Sequence, residues 1–379
     1  MRSIWVEQNY LKIAMITPQW LQTKGGPSSH VSGLAVQLRK MGHQVWVLSA
    51  EQGDGAIHFG SKPFKREFDI IRLFMKIKPD IIHIHGRMHY IAPALGYKLF
   101  FGRNCRLVFT FHTQPYLKNF LNISDIGKRD YIGVQRIIGK WLIHRCDEVV
   151  ACSHSLISNL NKYYNMNIQK YTVLYTGTEL SRIDTEKLEI FKRSHNLQNC
   201  NPILASVGVF SYDWKVAGHQ VCIEAVRLLK SKYPSVKLLI AGRGRFEDYL
   251  VGLVREHKLE DCVTFLGYTD CMREFLASTD IYVHMAMHEA MGLSVVEAMH
   301  ARKPIIVANR GGLPEIVEHN VKGLVIEPNA EELFRAVDWL VQHEEERQGI
   351  ANNAFTFASK FLSLEYFSSR IQSLYIGEH

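Results

Sequence analysis

The stretch that decides the architecture runs from His288 to Pro314 and reads HEAMGLSVVEAMHARKPIIVANRGGLP. Glu289 and Glu297 stand eight positions apart with Gly292 between them. From Leu293 the positions Leu293, Val296, Ala298 and Met299 follow helical spacing among good helix formers, and Pro304 ends the helix near Lys303. The glycine-containing loop is therefore a helix N-terminus. Backbone N–H groups from Met291 to Ser294 lack intrahelical acceptors and lie at the positive end of the helix dipole, which suits a phosphate. Glu297, about one turn into the helix, can accept hydrogen bonds from one sugar, and Glu289, ahead of the loop, from a second. An anion cradle between two carboxylates describes a pocket for a nucleotide sugar, with ribose at one end, hexose at the other and diphosphate between.

The rest of the chain sets the scale. With 379 residues, 47% of them hydrophobic, it can bury two cores of ordinary size. No apolar run approaches the roughly 18 residues needed to span a bilayer, and Met1 to Tyr10 lacks the apolar core of a signal peptide, so a cytoplasmic protein is expected. Seven cysteines form no CxxC pair and no zinc spacing, and their odd number argues against a closed disulfide set. They read as reduced and mostly buried. Eighteen histidines include no HExxH, so no metal is expected. A net charge of +8 and a pI near 9.0 favour an anionic partner without choosing among a nucleotide diphosphate, an acidic membrane surface and nucleic acid.

Upstream, Leu11 to Thr17 reads as a buried parallel strand, followed by the loop PQWLQTKGGPSSH, a helix from about His30 to Met41 and a strand from Gln44 to Leu48. Gly25 and Gly26 fall where the first strand hands over to the helix, the place where ligands meet open α/β sheets. A helix over Asp69 to Lys78 and strands at Pro79–Gly86, Arg106–Thr113, Asp147–Ser153 and Tyr171–Gly177 complete a first half. His83 and His85 alternate with isoleucines on one strand face and read as structural, satisfied by neighbouring backbone, while His112 ends its strand at the C-terminal rim. From Lys118 to Arg145 basic residues interleave with Ile, Leu, Trp and Tyr. This is either a helix with a solvated basic face or a surface resting on anionic lipid.

The polar segment from Thr178 to Pro202 reads as an interdomain connection. A second alternation follows: a strand at Ile203–Val207, the loop GVFSYDWKVAG containing Lys215, a helix over about His219–Lys230 and a strand at Val236–Gly242. A helix over about Glu247–His257, a strand at Val263–Gly267, a short helix at Met272–Ala277 and a strand at Ile281–Met285 lead into the opening stretch. A helix over Ala330–Gln342, a charged helix and a last amphipathic helix over Phe361–Tyr375 follow Gly323. The chain thus reads as two similar βα arrays with a cleft between them.

Glu289, seven residues and Glu297, then a strand from Pro304 and GGLPE at Gly311 to Glu315, together resemble the donor-binding signature of the family 4 retaining glycosyltransferases. GGPSSH, Thr110-Phe111-His112 and Lys215 resemble that family's motifs in the same order, so the likeness covers nearly the whole chain. It is nearest to bacterial enzymes that transfer hexose in cell-surface glycan or glycolipid assembly. The resemblance implies the GT-B architecture, two Rossmann-like doubly wound domains. Residues 1–180 would bind the acceptor, residues 203–360 the nucleotide sugar, and the helix at 361–379 would pack back on the first domain.

It also implies roles. His112, Glu289 and Lys215 would be catalytic; Gly26, Lys215, Arg243, Glu289, Met291, Gly292, Leu293, Ser294 and Glu297 would hold the donor; Gly25, Ser28, Ser29 and His30 would face the acceptor. Transfer would use a UDP- or GDP-sugar as co-substrate, with no cofactor and no metal, to a carbohydrate, lipid-linked or small-molecule acceptor, at the inner face of the membrane where the acceptor is lipid-linked. Two departures stand out: Met291 replaces the family's usual aromatic, and Val209 the arginine that pairs with Lys215 around the diphosphate. Losing one cation removes a charge-assisted bond worth about 1.5–3 kcal/mol unless another group replaces it, and Arg243 is the candidate. A sugar-nucleotide epimerase and a non-catalytic sugar-nucleotide-binding subunit are the other readings of the same cleft; Val209 speaks for the latter.

Overall fold

Runs such as KIAMIT, IIHIH, IYVH and IIVA are buried along nearly their whole length, as strands covered by helices on both faces must be. The computed structural model describes residues 10–18, 20, 26–60, 62, 64–113, 132–179 and 183–378. The first sheet contains β1 (Lys12–Thr17), β2 (Gln44–Ser49), β3 (Ala56–His58), β4 (Ile81–His85), β5 (Arg106–Phe111), β6 (Glu148–Ala151) and β7 (Thr172–Val173). Its helices are α1 (Gly26–Lys40), α2 (Lys65–Ile77), α3 (Ile91–Phe100), α4 (Ile132–Ile143) and α5 (His154–Tyr164). After α6 (Thr185–Ser194) the second sheet is built from β8 (Ile203–Val207), β9 (Lys237–Ala241), β10 (Val263–Gly267), β11 (Ile281–His284), β12 (Ile305–Ala308) and β13 (Leu324–Ile326). Around it lie α7 (Asp213–Lys232), α8 (Glu247–Glu256), α9 (Met272–Ala277), α10 (Leu293–His300), α11 (Leu313–Ile316), α12 (Ala330–Gln342) and α13 (Glu344–Phe361), and α14 (Leu364–Ile376) closes the chain.

Both sheets are parallel, with strand orders β3-β2-β1-β4-β5-β6-β7 and β10-β9-β8-β11-β12-β13. Each is doubly wound, and its order reverses once: between β1 and β4 in the first, between β8 and β11 in the second. Crossovers leave these points in opposite directions, so a crevice opens beyond the strands' C-terminal ends. The α/β class with two such sheets is as the sequence implies.

Several local expectations shift. Helix α1 starts at Gly26 rather than His30, so Ser28, Ser29 and His30 occupy its first turns. Lys215 lies in the first turn of α7, not in a loop, because α7 begins at Asp213. The polar segment after Thr178 contains α6, whose Phe191 is buried and which packs against α9. The strand expected at Tyr171–Gly177 pairs over Thr172–Val173 alone. Gly25 and residues 118–131 lie outside the described residues, and among these no helix is long and apolar enough to cross a membrane.

The last helix ties itself to the first sheet. The backbone passes from α13 to α14 alongside Thr178, with Thr178 N–H donating to Leu362 O at 3.0 Å and Leu364 N–H to Thr178 O at 3.0 Å. A Cβ on Gly177 would stand 2.2 Å from Ser363 O, so this crossing admits only glycine. Phe367, Ile371, Leu374 and Tyr375 then share a buried cluster with Val31, Leu34 and Leu38 of α1. Phe367→Ala should therefore lower the free energy of urea unfolding by about 3–5 kcal/mol; an unchanged midpoint would mean that α14 is not docked there.

Candidate active site

The crevice of the second sheet is made by a close approach of backbones. A Cβ on Gly218 would stand 2.3 Å from Met285 O, so α7 can lie against the segment leaving β11 only with glycine there. Met287 N–H donates to Trp214 O at 3.2 Å and fixes the same contact. Lys215, between them, is thereby brought to the loop carrying Glu289.

Lys215 Nζ donates to Glu289 Oε2 at 2.9 Å, and His284 Nε2, at the end of β11, donates to the same oxygen at 3.0 Å. The other oxygen, Oε1, accepts Ala290 N–H at 3.1 Å. Burial opposes ionisation of Glu289, yet the Lys215 ammonium and the His284 hydrogen bond outweigh it and hold the carboxyl well below the usual range. Gly292 caps α10 at φ +92°, a conformation that favours glycine, and no side chain caps this N-terminus. One turn in, burial pushes the Glu297 carboxyl up to about 7. The two glutamates flanking one helix start are thus in opposite electrostatic states.

Histidines dominate the first sheet's rim. His112 Nε2 lies 2.9 Å from His85 Nδ1; His83 Nε2 bonds Thr110 Oγ1 and its Nδ1 bonds Tyr375 Oη, both at 2.7 Å. The rings of His83 and His85 are 4.0 Å apart, and His30 packs edge-on between His112 at 5.4 Å and Phe367 at 4.5 Å. Side chains rather than backbone satisfy His83. Burial drives His83 down to about 3 and His112 to about 4; burial, with the charges of His83 and His112, takes His30 and His85 well below the ordinary value.

The two rims meet. Cys152 Sγ lies 3.9 Å from His112 O, and its thiol is pushed up to about 12 by burial and by the nearby charge of Glu289. His112 and Glu289 thus flank one cysteine. Met291 is buried with Sδ accepting Thr176 N–H at 2.9 Å, so this expected donor ligand faces the first lobe. In the first turns of α1, Ser28 and His30 are buried and Ser29 is exposed. The Arg243 guanidinium rests against Gly267 at the end of β10, where a Cβ would stand 2.8 Å from Nε. Val209 is solvent-exposed on the adjoining loop.

His284 escaped sequence reasoning, although it ends β11 as His112 follows β5, and the strand-end rule applied to one would have found the other. Among the described residues no three His, Cys, Asp or Glu side chains are grouped to hold a metal ion. All seven cysteines are free, four of them buried.

Against this geometry, the family described as glycosyl transferases group 1 matches residues 188–357 and glycosyltransferase family 4 matches residues 24–182, one on each sheet. The chain is a family 4 glycosyltransferase. It is 27% identical to an uncharacterized glycosyltransferase of Methanocaldococcus jannaschii, MJ1607, over 91% of this chain and 92% of that one. A solved glycosyltransferase of Rickettsia africae superposes with a TM-score of 0.81 at 21% identity, over 98% of this chain and 99% of that one. Anabaena HepE, solved in complex with UDP and glucose, gives 0.79 at 19%, over 97% and 100%. These likenesses fix the enzyme's fold as GT-B.

The glycosyltransferase should lose stability in acid. Unfolded, each of the four buried imidazoles has a pKa of about 6.5; folded, each is lower, so below about 6.5 the unfolded chain binds more protons. Stability therefore falls with pH through that value toward the folded pKa values near 3 and 4. Glu297, raised, acts in the opposite sense, but it is one group against four. At pH 5.5 the loss is roughly 1 kcal/mol per imidazole, visible as a lower urea midpoint than at pH 7.5; equal midpoints would refute the neutral cluster.

Proposed function

We propose that the enzyme moves a hexosyl group from a nucleoside diphosphate sugar to an acceptor hydroxyl with retention at the anomeric carbon. One observation carries the reading: Lys215, His284 and Glu289 meet beside the uncapped N-terminus of α10, at the switch point of the second sheet. A diphosphate laid there draws Lys215 from Glu289 and takes the amides of Leu293 and Ser294 as donors, stabilising the charge that develops on the leaving group. Glu289, relieved of the ammonium, accepts from hexose hydroxyls, and Glu297 from the ribose. His112 contacts the hexose from the other rim through its ring or carbonyl. Retention follows if the acceptor hydroxyl attacks from the leaving-group side and a diphosphate oxygen takes its proton. In this reading residues 203–360 hold the donor and residues 1–180 the acceptor, and Arg243 assists only after swinging away from Gly267.

UDP-sugars are the first donors to try, since Anabaena HepE was solved with UDP and glucose. Incubation with UDP-, GDP-, ADP- and dTDP-sugars should give nucleoside diphosphate release from one class, and NMR of the product should show a retained anomeric configuration. Lys215→Ala should lower kcat/KM about 10- to 150-fold, the equivalent of 1.5–3 kcal/mol, and His112→Ala should stop turnover. Because Glu297 ionises near 7, donor should bind more tightly at pH 8 than at pH 6, and Glu297→Gln should flatten that dependence. Release from no sugar nucleotide, or an inverted product, would overturn the proposal.

A lipid-linked acceptor at an anionic membrane is the partner best supported by the surface. α2, α3 and α4 pack side by side, and Phe64 (89%), Phe68, Phe100 (79%), Phe101 and Trp141 on or next to these helices are exposed. Arg145 lies 4.6 Å over the Trp141 ring, and Lys65, Arg72, Lys76, Lys78 and Arg103 are exposed around the same helices. Exposed aromatics ringed by cations fit a headgroup layer. The enzyme should sediment with vesicles containing anionic phospholipid and not with purely zwitterionic ones. Phe100→Glu with Trp141→Glu should cut the bound fraction severalfold without altering release from a soluble acceptor; undiminished sedimentation would exclude this face.

A further inference from the structure

Glu315 belongs to the second lobe but spends its carboxylate on the first. Oε1 accepts Ser155 N–H at 2.7 Å and Oε2 accepts His154 N–H at 2.9 Å, while Tyr175 Oη–H donates to Oε2 at 3.3 Å. His154 and Ser155 open α5, an eleven-residue helix whose N-cap Ser153 accepts Leu156 N–H through Oγ at 3.1 Å. The first three N–H groups of α5 are thus satisfied by one residue of its own lobe and one of the other. A carboxylate at that position also meets the positive end of the helix dipole.

The surrounding backbone is built for this approach. A Cβ on Gly312 would stand 2.8 Å from Ser153 Cβ across the cleft and 2.1 Å from Ala290 O on its own side. Gly312, the N-cap of α11, donates its N–H to Glu289 O at 3.0 Å, which links the short helix bearing Glu315 to the residue that holds Lys215. Only Leu313 and Pro314 separate Gly312 from Glu315 in the chain. The contact is therefore both an interlobe bond and a neighbour of the reactive cluster.

We propose that Glu315 is a positioning residue, a latch whose carboxylate seats on the N-terminus of α5 to hold the two lobes together around the donor and leaves it when the cleft opens. Opening exchanges the two N–H donors for water on both sides, so the latch is reversible rather than a permanent staple. Through Gly312 and Glu289, occupancy of the cluster and seating of the latch bear on the same short loop. This rests on the reading above only in requiring that transfer happen between the lobes.

The test uses the full-length protein with Glu315→Ala and Glu315→Gln, the second keeping an acceptor oxygen and the shape. Hydrogen exchange in a peptide spanning residues 148–160 should show the amides at the start of α5 exchanging roughly tenfold faster in Glu315→Ala, the loss of about one charge-assisted bond, with Glu315→Gln between. Small-angle scattering should give a larger radius of gyration for Glu315→Ala. With UDP-glucose, or the sugar nucleotide that supports release, kcat/KM for transfer should fall about tenfold or more and the ratio of hydrolysis to transfer should rise, because an unlatched cleft admits water. Unchanged exchange and scattering would overturn the latch, as would a rate loss without either, which would put Glu315 in the chemistry. So would a lower melting temperature with turnover per folded molecule intact, the signature of a plain staple. Should no sugar nucleotide be turned over, scattering and exchange still decide the latch while the transfer reading fails.

Discussion

A parallel sheet covered by helices on both faces can be entered only where its winding reverses, and this constraint governs everything else in the molecule. Both sheets obey it independently, reversing between β1 and β4 and between β8 and β11. The polar residues that the helices exclude elsewhere collect at those two points. Thus His83, His85 and His112 stand on or after β4 and β5, and His284 and Glu289 on or after β11. Facing the two reversals across one cleft gives a site whose halves are each preorganised by their own sheet and joined through loops alone.

The two halves solve the burial of polar groups differently. In the first lobe the imidazoles are neutral: His85 and His112 share one hydrogen bond, while His83 bonds Thr110 and Tyr375 and meets His85 only ring to ring. In the second lobe, charge is retained by pairing Glu289 with Lys215. A cleft with one uncharged wall and one self-neutralised wall can receive a neutral sugar against the first and an anion against the second without leaving an isolated charge buried on either side. Placing α14 from the chain's end under His30 and His83 makes the neutral wall depend on the last residues of the sequence.

How far this was legible in the sequence depended on whether local pattern or distant packing set each element. The strand from Pro304, the helix from Leu293, and α9, β10 and α12 were readable because period and punctuation agree there. α3 was not read, since IAPALGYKLF is apolar all round and holds Pro93 and Gly96, so neither period nor propensity marks it. α7 begins six residues before the expected start because Gly218 looks like a breaker, yet it is present for the contact with Met285. Pro27 in the first turn of α1 was a usable signal that went unread. Motif order singles out Glu289, Glu297, Lys215 and His112 as candidates, but the pairing of Lys215 with Glu289 and the turning of Met291 to Thr176 come from folds meeting in space, where spacing is silent.

That pairing also explains how a site can hold a strong cation without being frustrated when empty of charge partners from outside. Removing one member of a buried pair costs about 3–5 kcal/mol, because the survivor is left uncompensated. Glu289 is the more deeply buried of the two, and Lys215 compensates its charge at 2.9 Å. On the proposed reading, an incoming diphosphate would substitute one anion for another at the ammonium, and the exchange would involve little net desolvation. Glu289 in turn keeps His284 at 3.0 Å and the Ala290 amide at 3.1 Å, so it remains held while its outer lone pairs become available to hydroxyl donors. On that reading the carboxylate that neutralises the lysine before binding would become, by losing it, an acceptor for sugar, with charge setting the order of events.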